Sequence, residues 1–393
     1  MKRSVAIVRH NPGAKSVEEA ISLCNGAKDL KPYSKVMIKP NVVIGGKIYK
    51  PFLKGTVVNA DIIEEIITFL RDFGCSDICI GEGSVLLPEL GATTETAFET
   101  AGITELAKRY QIKLLDFYQH PFKKVEIGGK QVEVSVPVLE SDYIINVPVL
   151  KTHLQTKVSL SIKNMKGSLN FPSKKNFHGY DLEKYIAMLG AYLKPHLNIV
   201  DGLYTINYGP VSLESQQVGI IIAGTDSLAV DMVGSSILGQ DFSDVEHIVE
   251  YAKITNGSLD MDTIDVRGNS IDDVKVKTSW DRDWGIFIPE LFKIKGVKIT
   301  QSGKTLCSSC GFAMAQAFIM TFNKMAGKTF KPVEFCVGSV ASANGQGPCF
   351  LLGKCAIESN KDLVDAIKIK GCPPDVNNFH KIVSEFLDSS VVE

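Results

Sequence analysis

The sequence predicts an α/β protein with a mostly parallel sheet, followed by a smaller cysteine-rich α+β domain. Short apolar segments alternate with segments of helical periodicity over the first 270 residues. Polar side chains directly follow several apolar segments, and six of the nine cysteines lie between Cys307 and Cys372. We therefore predict an α/β domain over residues 1–270, a linker or arm over 271–302 and a cysteine-rich domain over 303–393.

The composition is that of an ordinary globular protein, with 45% hydrophobic residues, 22% charged residues and a formal net charge of -1. No apolar run approaches the roughly 18 residues of a membrane span. The five-residue apolar run before Arg9 is too short for the core of a signal peptide. We expect a cytoplasmic protein with mostly reduced cysteines, and neither a nucleic acid nor a membrane as its partner.

Hydrophobic periodicity and turn residues predict the elements of the α/β domain. Strands are predicted over residues 4–8, 36–38, 77–80, 112–116, 143–149, 197–200 and 218–222. Helices are predicted over residues 16–26, 61–73, 94–109, 182–193 and 226–238. The first helix begins at a capping box of Ser16 and Glu19, and Gly128 and Gly129 centre a hairpin over 123–138.

Polar side chains follow five of these strands at the point where each strand ends. They are Lys39, Asn41, Glu82, Ser84, Lys151, His153, Asp201 and Asp226. Parallel strands bring their carboxyl ends to one edge of a sheet, and ligands bind there in open α/β domains. The sequence therefore predicts a cleft at this edge, although polar residues at strand ends also simply begin loops.

The segment from Tyr143 to Tyr180 is strongly cationic. It contains six lysines and two histidines but no Asp or Glu. Lysines at strand ends need a counter-charge, which a carboxylate or phosphate ligand, or acids from elsewhere in the fold, would supply. A solvated lysine-rich loop is the alternative interpretation.

The chemistry of each side chain assigns it a role in the predicted cleft. The predicted catalytic residues are Lys151, His153 and His178. The predicted ligand-binding residues are Lys39, Asn41, Glu82, Ser84, Lys163, Asn164, Lys166 and Asp201. Each histidine is equally well interpreted as a structural group. Asp226 is more simply a helix N-cap, and Asp231 either shares its face or is a solvated or lysine-paired acid.

The C-terminal cysteines predict a metal centre. Cys307 and Cys310 form a CxxC pair, and the other cysteines are dispersed among apolar and glycine-rich segments. This dispersal favours a [4Fe-4S] cluster, whereas zinc favours a second CxxC pair or histidines at short spacing. The predicted ligands are Cys307, Cys310, Cys355 and Cys372, with Cys349 as the substitute. Zinc, unligated thiols and a redox disulfide are the alternatives.

Several motifs together resemble one family. They are KPN at 39–41, NVPVLKTH at 146–153, SIKNMKG at 161–167, DG at 201–202, GP at 209–210 and the GTD…AVD run ending at Asp231. Over residues 1–240 the chain resembles the family called domain of unknown function 362. The resemblance implies iron-sulfur clusters, often in an appended ferredoxin-like segment with repeated CxxCxxC motifs, and a fold distantly similar to the lactate racemases.

The chain also departs from that family pattern. Its cysteines are spread out, and no nickel-site histidine motif of the lactate racemases is evident, so the resemblance implies no nickel. GCPP at 371–374 is similar to the cluster-binding GCPP of hydrogenase small subunits and of the related complex I subunit. The resemblance supplies no established catalytic residues.

Two classes of function fit these features. In the first, a redox enzyme or maturation factor, a cluster feeds electrons from a redox partner protein into the lysine-lined cleft, where an anionic small molecule is reduced or activated. In the second, an electron carrier or a zinc- or cluster-dependent binding module docks an acidic partner on its lysines. Burial of the lysines with His153 favours the first class, and an exposed lysine surface favours the second. No P-loop, GxGxxG, HExxH or GxSxG motif occurs.

Overall fold

The computed structural model describes residues 2–281, 284–301, 306–342 and 347–392. The chain divides into two compact units, Met1–Asp281 and Arg282–Glu393. The boundary falls within the segment 271–302 that the sequence predicts to be a linker or arm. That segment also contains regular elements of both units, which are described below.

Strands and helices alternate along the N-terminal unit. Its strands are β1 (Arg3–Arg9), β2 (Val36–Pro40), β3 (Ile78–Glu82), β4 (Lys113–Asp116), β5 (Phe122–Ile127), β6 (Lys130–Ser135), β7 (Tyr143–Val147), β8 (Lys151–His153), β9 (Lys157–Ser159), β10 (Leu197–Ile206), β11 (Ser215–Gly224) and β12 (Ile264–Gly268). Its helices are α1 (Ser16–Leu23), α2 (Ala60–Phe73), α3 (Thr94–Thr100), α4 (Ile103–Tyr110), α5 (Val136–Leu139), α6 (Ser161–Asn164), α7 (Phe171–Gly179), α8 (Leu182–Leu193), α9 (Ser227–Ile237), α10 (Glu246–Thr255) and α11 (Ile271–Val274).

Eight of these strands form one sheet in the order β12-β1-β11-β10-β7-β2-β3-β4. The pairs on either side of β11 are antiparallel, and the other five pairs are parallel. This confirms the predicted α/β class with a mostly parallel sheet. Two hairpins, β5–β6 and β8–β9, pair outside the large sheet. The first is the predicted hairpin, and the second carries Lys151 and His153.

Both faces of the large sheet are covered, so its central strands are apolar on both sides. Met37 and Ile144 face one buried cluster, whereas their neighbours Ile38 and Ile145 face the other. Helix α2 packs its stripe of isoleucines and Leu70 into the second cluster and ends at Gly74, whose φ of 99° is left-handed. The carboxyl ends of β2, β3 and β7 are therefore held by a rigid scaffold.

Three local predictions are wrong in detail. The capping box at the start of α1 does not form; Ser16 is already helical, and its hydroxyl accepts a hydrogen bond from the Asn11 N–H at 3.1 Å. The helix predicted over 94–109 is divided into α3 and α4 by Gly102, which adopts a φ of 76°. Strand β10 continues past Asp201 to Ile206 because β11 pairs along it, so Asp201 does not lie at a strand end.

The C-terminal unit is a second, smaller sheet with helices. Its strands are β13 (Lys295–Gln301), β14 (Thr329–Val337), β15 (Cys349–Leu352) and β16 (Ile367–Ile369), and its helices are α12 (Trp284–Leu291), α13 (Ser308–Asn323), α14 (Gly353–Ser359) and α15 (Val376–Asp388). The strands pair in sequence order, and all three pairs are parallel, which gives α/β rather than α+β organisation to this unit. One face of the sheet packs Phe335 and Phe350 against the helix residues Phe318 and Phe379.

Candidate functional site

A buried ion pair joins the ends of two neighbouring parallel strands. Lys39 of β2 donates to Glu82, the last residue of β3, at 2.7 Å, and the two side chains are 0% and 3% exposed. Burial lowers the pKa of Lys39, and the charge and hydrogen bond of Glu82 oppose that shift. The other carboxylate oxygen of Glu82 accepts the Gly83 N–H at 2.8 Å. The pair is thus fixed in position by the sheet.

Two glycines allow the backbone to approach this pair. A Cβ atom at Gly167 would overlap the Glu82 carboxylate and the Lys39 ammonium group, and a Cβ at Gly83 would lie 2.8 Å from the Lys174 ammonium group. Lys174 donates to the Gly83 carbonyl and to the Tyr118 hydroxyl, the latter at 2.9 Å. Only residues without a side chain fit at these two positions, because backbone and charged groups are already in contact.

Two further lysines enter from β8 and α6. Lys151, 1% exposed, donates to the Thr56 and Pro210 carbonyls, and Lys163 donates to the Ser159 hydroxyl at 3.4 Å. Burial lowers the pKa of Lys151, Lys163 and Lys174 to about 7. In the described part of the chain, the hydrogen-bond partners of these three ammonium groups are neutral oxygens. Their positive charges are therefore not compensated by a carboxylate in direct contact.

Two histidines accompany the lysines, and both are neutral. Burial lowers the pKa of His153 and of His178 well below the usual value, and the neighbouring lysines add to the shift. The Gln155 N–H donates to Nδ1 of His153 at 3.1 Å, so its Nε2 carries the proton. Nε2 of His178 lies 2.8 Å from the Lys166 ammonium group and accepts from it, which leaves the proton on Nδ1. That Nδ1 is buried and has no hydrogen-bond partner among the described residues.

A chain of amides connects this region to the sheet. Asn164 donates to the Asn146 side chain at 2.8 Å, and Asn146 donates to the Asn198 side chain at 2.8 Å. Asn164 also contacts the carbonyl of Lys39 at 3.3 Å. These hydrogen bonds between amide groups hold α6 against β2. Asn164 thereby helps to position the lysines that these two elements carry. The side-chain oxygen of Asn41 is different: it is buried and unpartnered within the described ranges.

The remaining predicted residues have structural contacts. Asp201 accepts from the backbone N–H of Asn59 at 2.6 Å and of Leu203 at 2.9 Å, which fixes the start of α2. Asp226 accepts from Ala229 N–H at 2.8 Å, as expected for an N-cap. The Ser84 hydroxyl donates to the Val42 carbonyl at 2.5 Å. None of these contacts involves a lysine.

Asp231 is neither solvated nor paired with lysine. It is fully buried on α9, and its two oxygens accept the backbone N–H groups of Ser161 and Ile162 at 2.7 and 3.0 Å. Burial raises the pKa of Asp231 to about 6, and these hydrogen bonds oppose the shift. The carboxylate caps α6 and so fixes the direction from which Lys163 enters.

Three residues of this region were not predicted as site residues: Tyr118, Lys174 and Gly167. Tyr118 follows β4, and its ring lies 4.8 Å below the Lys174 ammonium group. Lys174 was one of six lysines in the cationic segment, and no feature of the sequence separates it from Lys175. Gly167 lies in the SIKNMKG motif, and the closeness of its backbone to Glu82 is a property of the tertiary structure.

A groove of about 400 Å³ lies elsewhere on the N-terminal unit, beside α1 and α2. Its lining includes His10, Lys15, Glu18, Asp61 and Glu65. His10 is bonded to Glu65 at 2.8 Å. The lining contains none of the lysines of the cationic segment, and we assign no function to this groove.

The cysteines predicted as cluster ligands lie near the carboxyl ends of three strands of the smaller sheet. Cys307 and Cys310 lie at the start of α13 after β13, Cys355 lies in the first turn of α14 after β15, and Cys372 lies between β16 and α15. All four are half-buried cysteines that form no disulfide bond within the described part of the chain. The loop containing Gly371 accepts the Lys354 N–H at 3.0 Å, so the segments carrying Cys355 and Cys372 are in contact.

Another group of potential ligands lies on the sheet itself. The sulfur atoms of Cys336 and Cys349 are 3.8 Å apart, and a carboxylate oxygen of Glu334 completes a group whose ligand atoms lie within 4.8 Å of one another. This Cys/Glu cluster has the donor atoms to bind a metal ion. It includes Cys349, the predicted substitute ligand, but Cys336 and Glu334 were not predicted. Burial raises the pKa of the Cys336 thiol strongly, and Cys349 and Glu334 add to this shift.

Among the described residues, no helix combines the length and the apolar character needed to cross a membrane.

The thylakoid-associated protein sll1697 of Synechocystis is 24% identical to this chain over 219 residues. The match covers 54% of this chain and 65% of that relative.

One solved structure is also similar, the lactate racemase apoprotein from Thermoanaerobacterium thermosaccharolyticum. The similarity covers 77% of this chain and 60% of that one at 11% identity, with a TM-score of 0.32. A TM-score of this size transfers neither a cofactor nor an activity.

The family model described as domain of unknown function (DUF362) matches residues 36–236. This match covers just over half of the chain and includes the large sheet's ion pair and the cationic segment, and the chain therefore belongs to the DUF362 family.

Proposed function

We propose that the N-terminal unit binds a small anion, a carboxylate or a phosphate, against the lysine cluster, which we define as Lys39, Lys151, Lys163, Lys166 and Lys174. The observation that supports this proposal is that most of the ammonium groups of the cluster have no carboxylate bonded to them among the described residues. Glu82 bonds Lys39, whereas Lys151, Lys163 and Lys174 are bonded to neutral oxygens. Burying ammonium groups without a counter-charge is costly, so a cluster of this kind is expected to be completed by an anion.

The burial of the lysines favours a small ligand over a docked protein. Lys39, Lys151 and His153 are at most 2% exposed, and the other lysines of the cluster are half-buried. A surface that docks an acidic protein presents its lysines to solvent, where they steer the partner. The half-buried lysines are the ones that a ligand would reach, and the fully buried ones would add charge behind them.

The same residues supply groups for orienting a ligand and moving a proton. The unpartnered Nδ1–H of His178 can donate to an acceptor, and the unpartnered oxygen of Asn41 can accept from a donor. Lysines whose pKa is about 7 exchange protons readily at neutral pH. We assign proton transfer to Lys151, His153 and His178, and ligand binding to the other lysines of the cluster.

We further propose that the C-terminal unit holds a [4Fe-4S] cluster on Cys307, Cys310, Cys355 and Cys372. The donor set fits: four half-buried cysteines follow parallel strands, near the sheet edge where ligands collect in α/β folds, and the segments carrying two of them are in contact. Such a cluster supplies one-electron transfer when bound. With it the protein is a redox enzyme or maturation factor acting on the anion, supplied with electrons by a partner protein in a reducing cytoplasm.

The anion proposal is tested by titrating the full-length protein with inorganic phosphate and with acetate in a calorimeter. The variant Lys151→Ala/Lys163→Ala should lose binding, with affinity falling at least about 100-fold, because one charge next to the ligand and one charge behind it are removed. Lys184→Ala, an exposed lysine of α8, is the matched control and should bind as the wild type does. Full affinity in the double variant would show that the lysine cluster is not the site.

The cluster proposal is tested by anaerobic purification followed by iron analysis and an EPR spectrum before and after dithionite. About four irons per chain and a reducible cubane signal are expected, and Cys372→Ser should lower both. Cys75→Ser, a buried cysteine of the N-terminal unit, is the control. Unchanged iron in Cys372→Ser removes that residue from the ligand set. Binding of phosphate by a protein without iron would leave a small-anion-binding protein and remove the redox role.

A further inference from the structure

We propose that Glu334, Cys336 and Cys349 form a mononuclear zinc site in the C-terminal unit, separate from the cysteines at the carboxyl ends of the strands. We call these three residues the strand triad. The inference does not depend on the lysine cluster or on an iron-sulfur cluster. It rests on the position, spacing and charge of the triad.

The pairing of β14 with β15 places the triad on one face of the sheet. Glu334 and Cys336 are two residues apart on β14, so both point to the same face. Cys349 is the first residue of β15 and is the register partner of Glu334, which puts it on that face as well. Phe335 and Phe350 occupy the opposite face. The regular hydrogen bonding of two strands therefore sets the donor positions.

The spacing of the sulfur atoms is that of a single tetrahedral ion. Zinc binds thiolate at about 2.3 Å, so two thiolates of one tetrahedral zinc lie roughly 3.8 Å apart. The sulfur atoms of Cys336 and Cys349 are 3.8 Å apart. A disulfide would bring them to about 2.05 Å, and a cubane would hold its ligands more widely because a whole cluster lies between them. The triad thus has the spacing of mononuclear ligands.

The charge and burial of the triad also call for a cation. The three residues are 7%, 0% and 8% exposed, and Leu351 and Ala356 pack beside the two cysteines. Each member of the triad becomes negative when it loses its proton. A divalent ion in contact with all three residues would offset these negative charges and hold both thiols as thiolates.

Two hydroxyl groups orient the carboxylate. Thr300 donates to one oxygen of Glu334 at 2.5 Å, and Ser342 donates to the other. Hydrogen bonds of this kind fix the orientation of a metal-binding carboxylate and tune its affinity. Two thiolates with one carboxylate suit zinc, and three protein ligands leave the fourth tetrahedral position for water or another ligand.

The experiment measures zinc and iron in the full-length protein, purified anaerobically from zinc-supplemented cells. The wild type should retain about one zinc per chain, and Cys336→Ser and Cys349→Ser should each lose zinc while keeping iron. Cys372→Ser is the matched control, with iron lowered and zinc unchanged. Loss of iron in both triad variants would instead make these cysteines cluster ligands. Retention of zinc in Cys336→Ser/Cys349→Ser would place the zinc elsewhere. Either result overturns the proposal.

Two measurements avoid variants that fail to fold. Cobalt added to the reduced wild type should give a thiolate charge-transfer band of the intensity expected for two thiolates. Ser342→Ala keeps all three ligands, and its zinc affinity, measured against a chromophoric chelator, should fall about 10- to 100-fold. A wild type that takes up neither zinc nor cobalt under reducing conditions would show that Cys336 and Cys349 are simply adjacent free thiols, and the proposal would be wrong.

Discussion

The lysine cluster and the strand triad solve the same electrostatic problem with opposite signs. In each region, groups that carry the same sign of charge are buried together. In each, burial favours the uncharged form of the side chains. Burial lowers the pKa of Lys151 and Lys163 to about 7, whereas it raises the pKa of Cys336. A bound ligand restores the charge, so an anion at the lysines takes up protons and a metal at the triad releases them. Anion affinity should therefore fall as pH rises, and metal affinity should rise.

The two regions also differ in how they are assembled. The lysine cluster draws on residues 39 to 174, from β2, β8, α6, the turn after α6, and α7, together with Glu82 of β3. The strand triad needs only two neighbouring strands in register. A site built from many elements is sensitive to a change in any one of their contacts. The ion pair of Lys39 and Glu82 joins two of these elements, β2 and β3.

Glu82→Gln should have the largest effect on stability. It leaves the fully buried Lys39 without its counter-charge, and breaking one partner of a buried pair costs about 3–5 kcal/mol of unfolding free energy. Urea denaturation measures this change. The control is Lys39→Met/Glu82→Gln, which removes both charges and should recover most of the loss. A single variant as stable as the wild type would mean that the pair does not hold the cluster together.

The pH dependence of sulfate binding tests the prediction that anion affinity falls as pH rises. Sulfate keeps its charge, so between pH 7 and 9 only the protein changes, and each linked lysine with a pKa of about 7 lowers the affinity about tenfold per pH unit. Without sulfate, stability should rise from pH 7 toward 10.5, the usual lysine value, since the unfolded chain binds more protons in that window. Affinity independent of pH would contradict the assigned shifts.

Gly167→Ala tests the close approach of the backbone to the ion pair. The added methyl group would overlap the Glu82 carboxylate and the Lys39 ammonium group, and overpacking of this kind costs about 1–3 kcal/mol. Thermal unfolding measures the change. Gly129→Ala is not a matched control because its φ is positive; Gly179→Ala, at a glycine whose Cβ would meet no atom within 4 Å, is suitable. Equal melting temperatures for both variants would exclude a tight contact at Gly167.

Lys163→Met should lower the affinity for sulfate with little change in the free energy of unfolding. Its expected effect is the smallest of these variants. Its ammonium group makes one long hydrogen bond to the described residues, so removing it should change stability by less than about 1 kcal/mol or even increase it, since a half-buried charge is lost. Sulfate affinity at pH 6 should nonetheless fall about tenfold, the value of one charge-assisted contact. Unchanged affinity would place Lys163 outside the binding surface. Lys184→Met is the exposed control.

The sequence predicted the residues of the lysine cluster better than their contacts. Lys39, Lys151, Lys163 and Lys166 were selected because they follow apolar strands or lie in the cationic segment, and the structure brings them together. Asp201 and Ser84 were selected by the same rule, but their hydrogen bonds go to the backbone. Position at a strand end does not determine the direction in which a side chain points, and neighbouring elements decide that direction.

By itself the sequence determined the fold class and the main helices and strands, because strands buried on both faces are short continuous apolar runs and helices buried on one face have an apolar periodicity of 3.6 residues. It also determined that the segment from Tyr143 to Tyr180 contains lysines but no acid, and that six of the nine cysteines lie in one region. Only the tertiary structure decided that Glu82 meets Lys39, that Lys174 meets Tyr118 and that Cys336 lies beside Cys349. These contacts join residues from separate elements, and sheet order and register, which no local pattern encodes, determine which elements become neighbours.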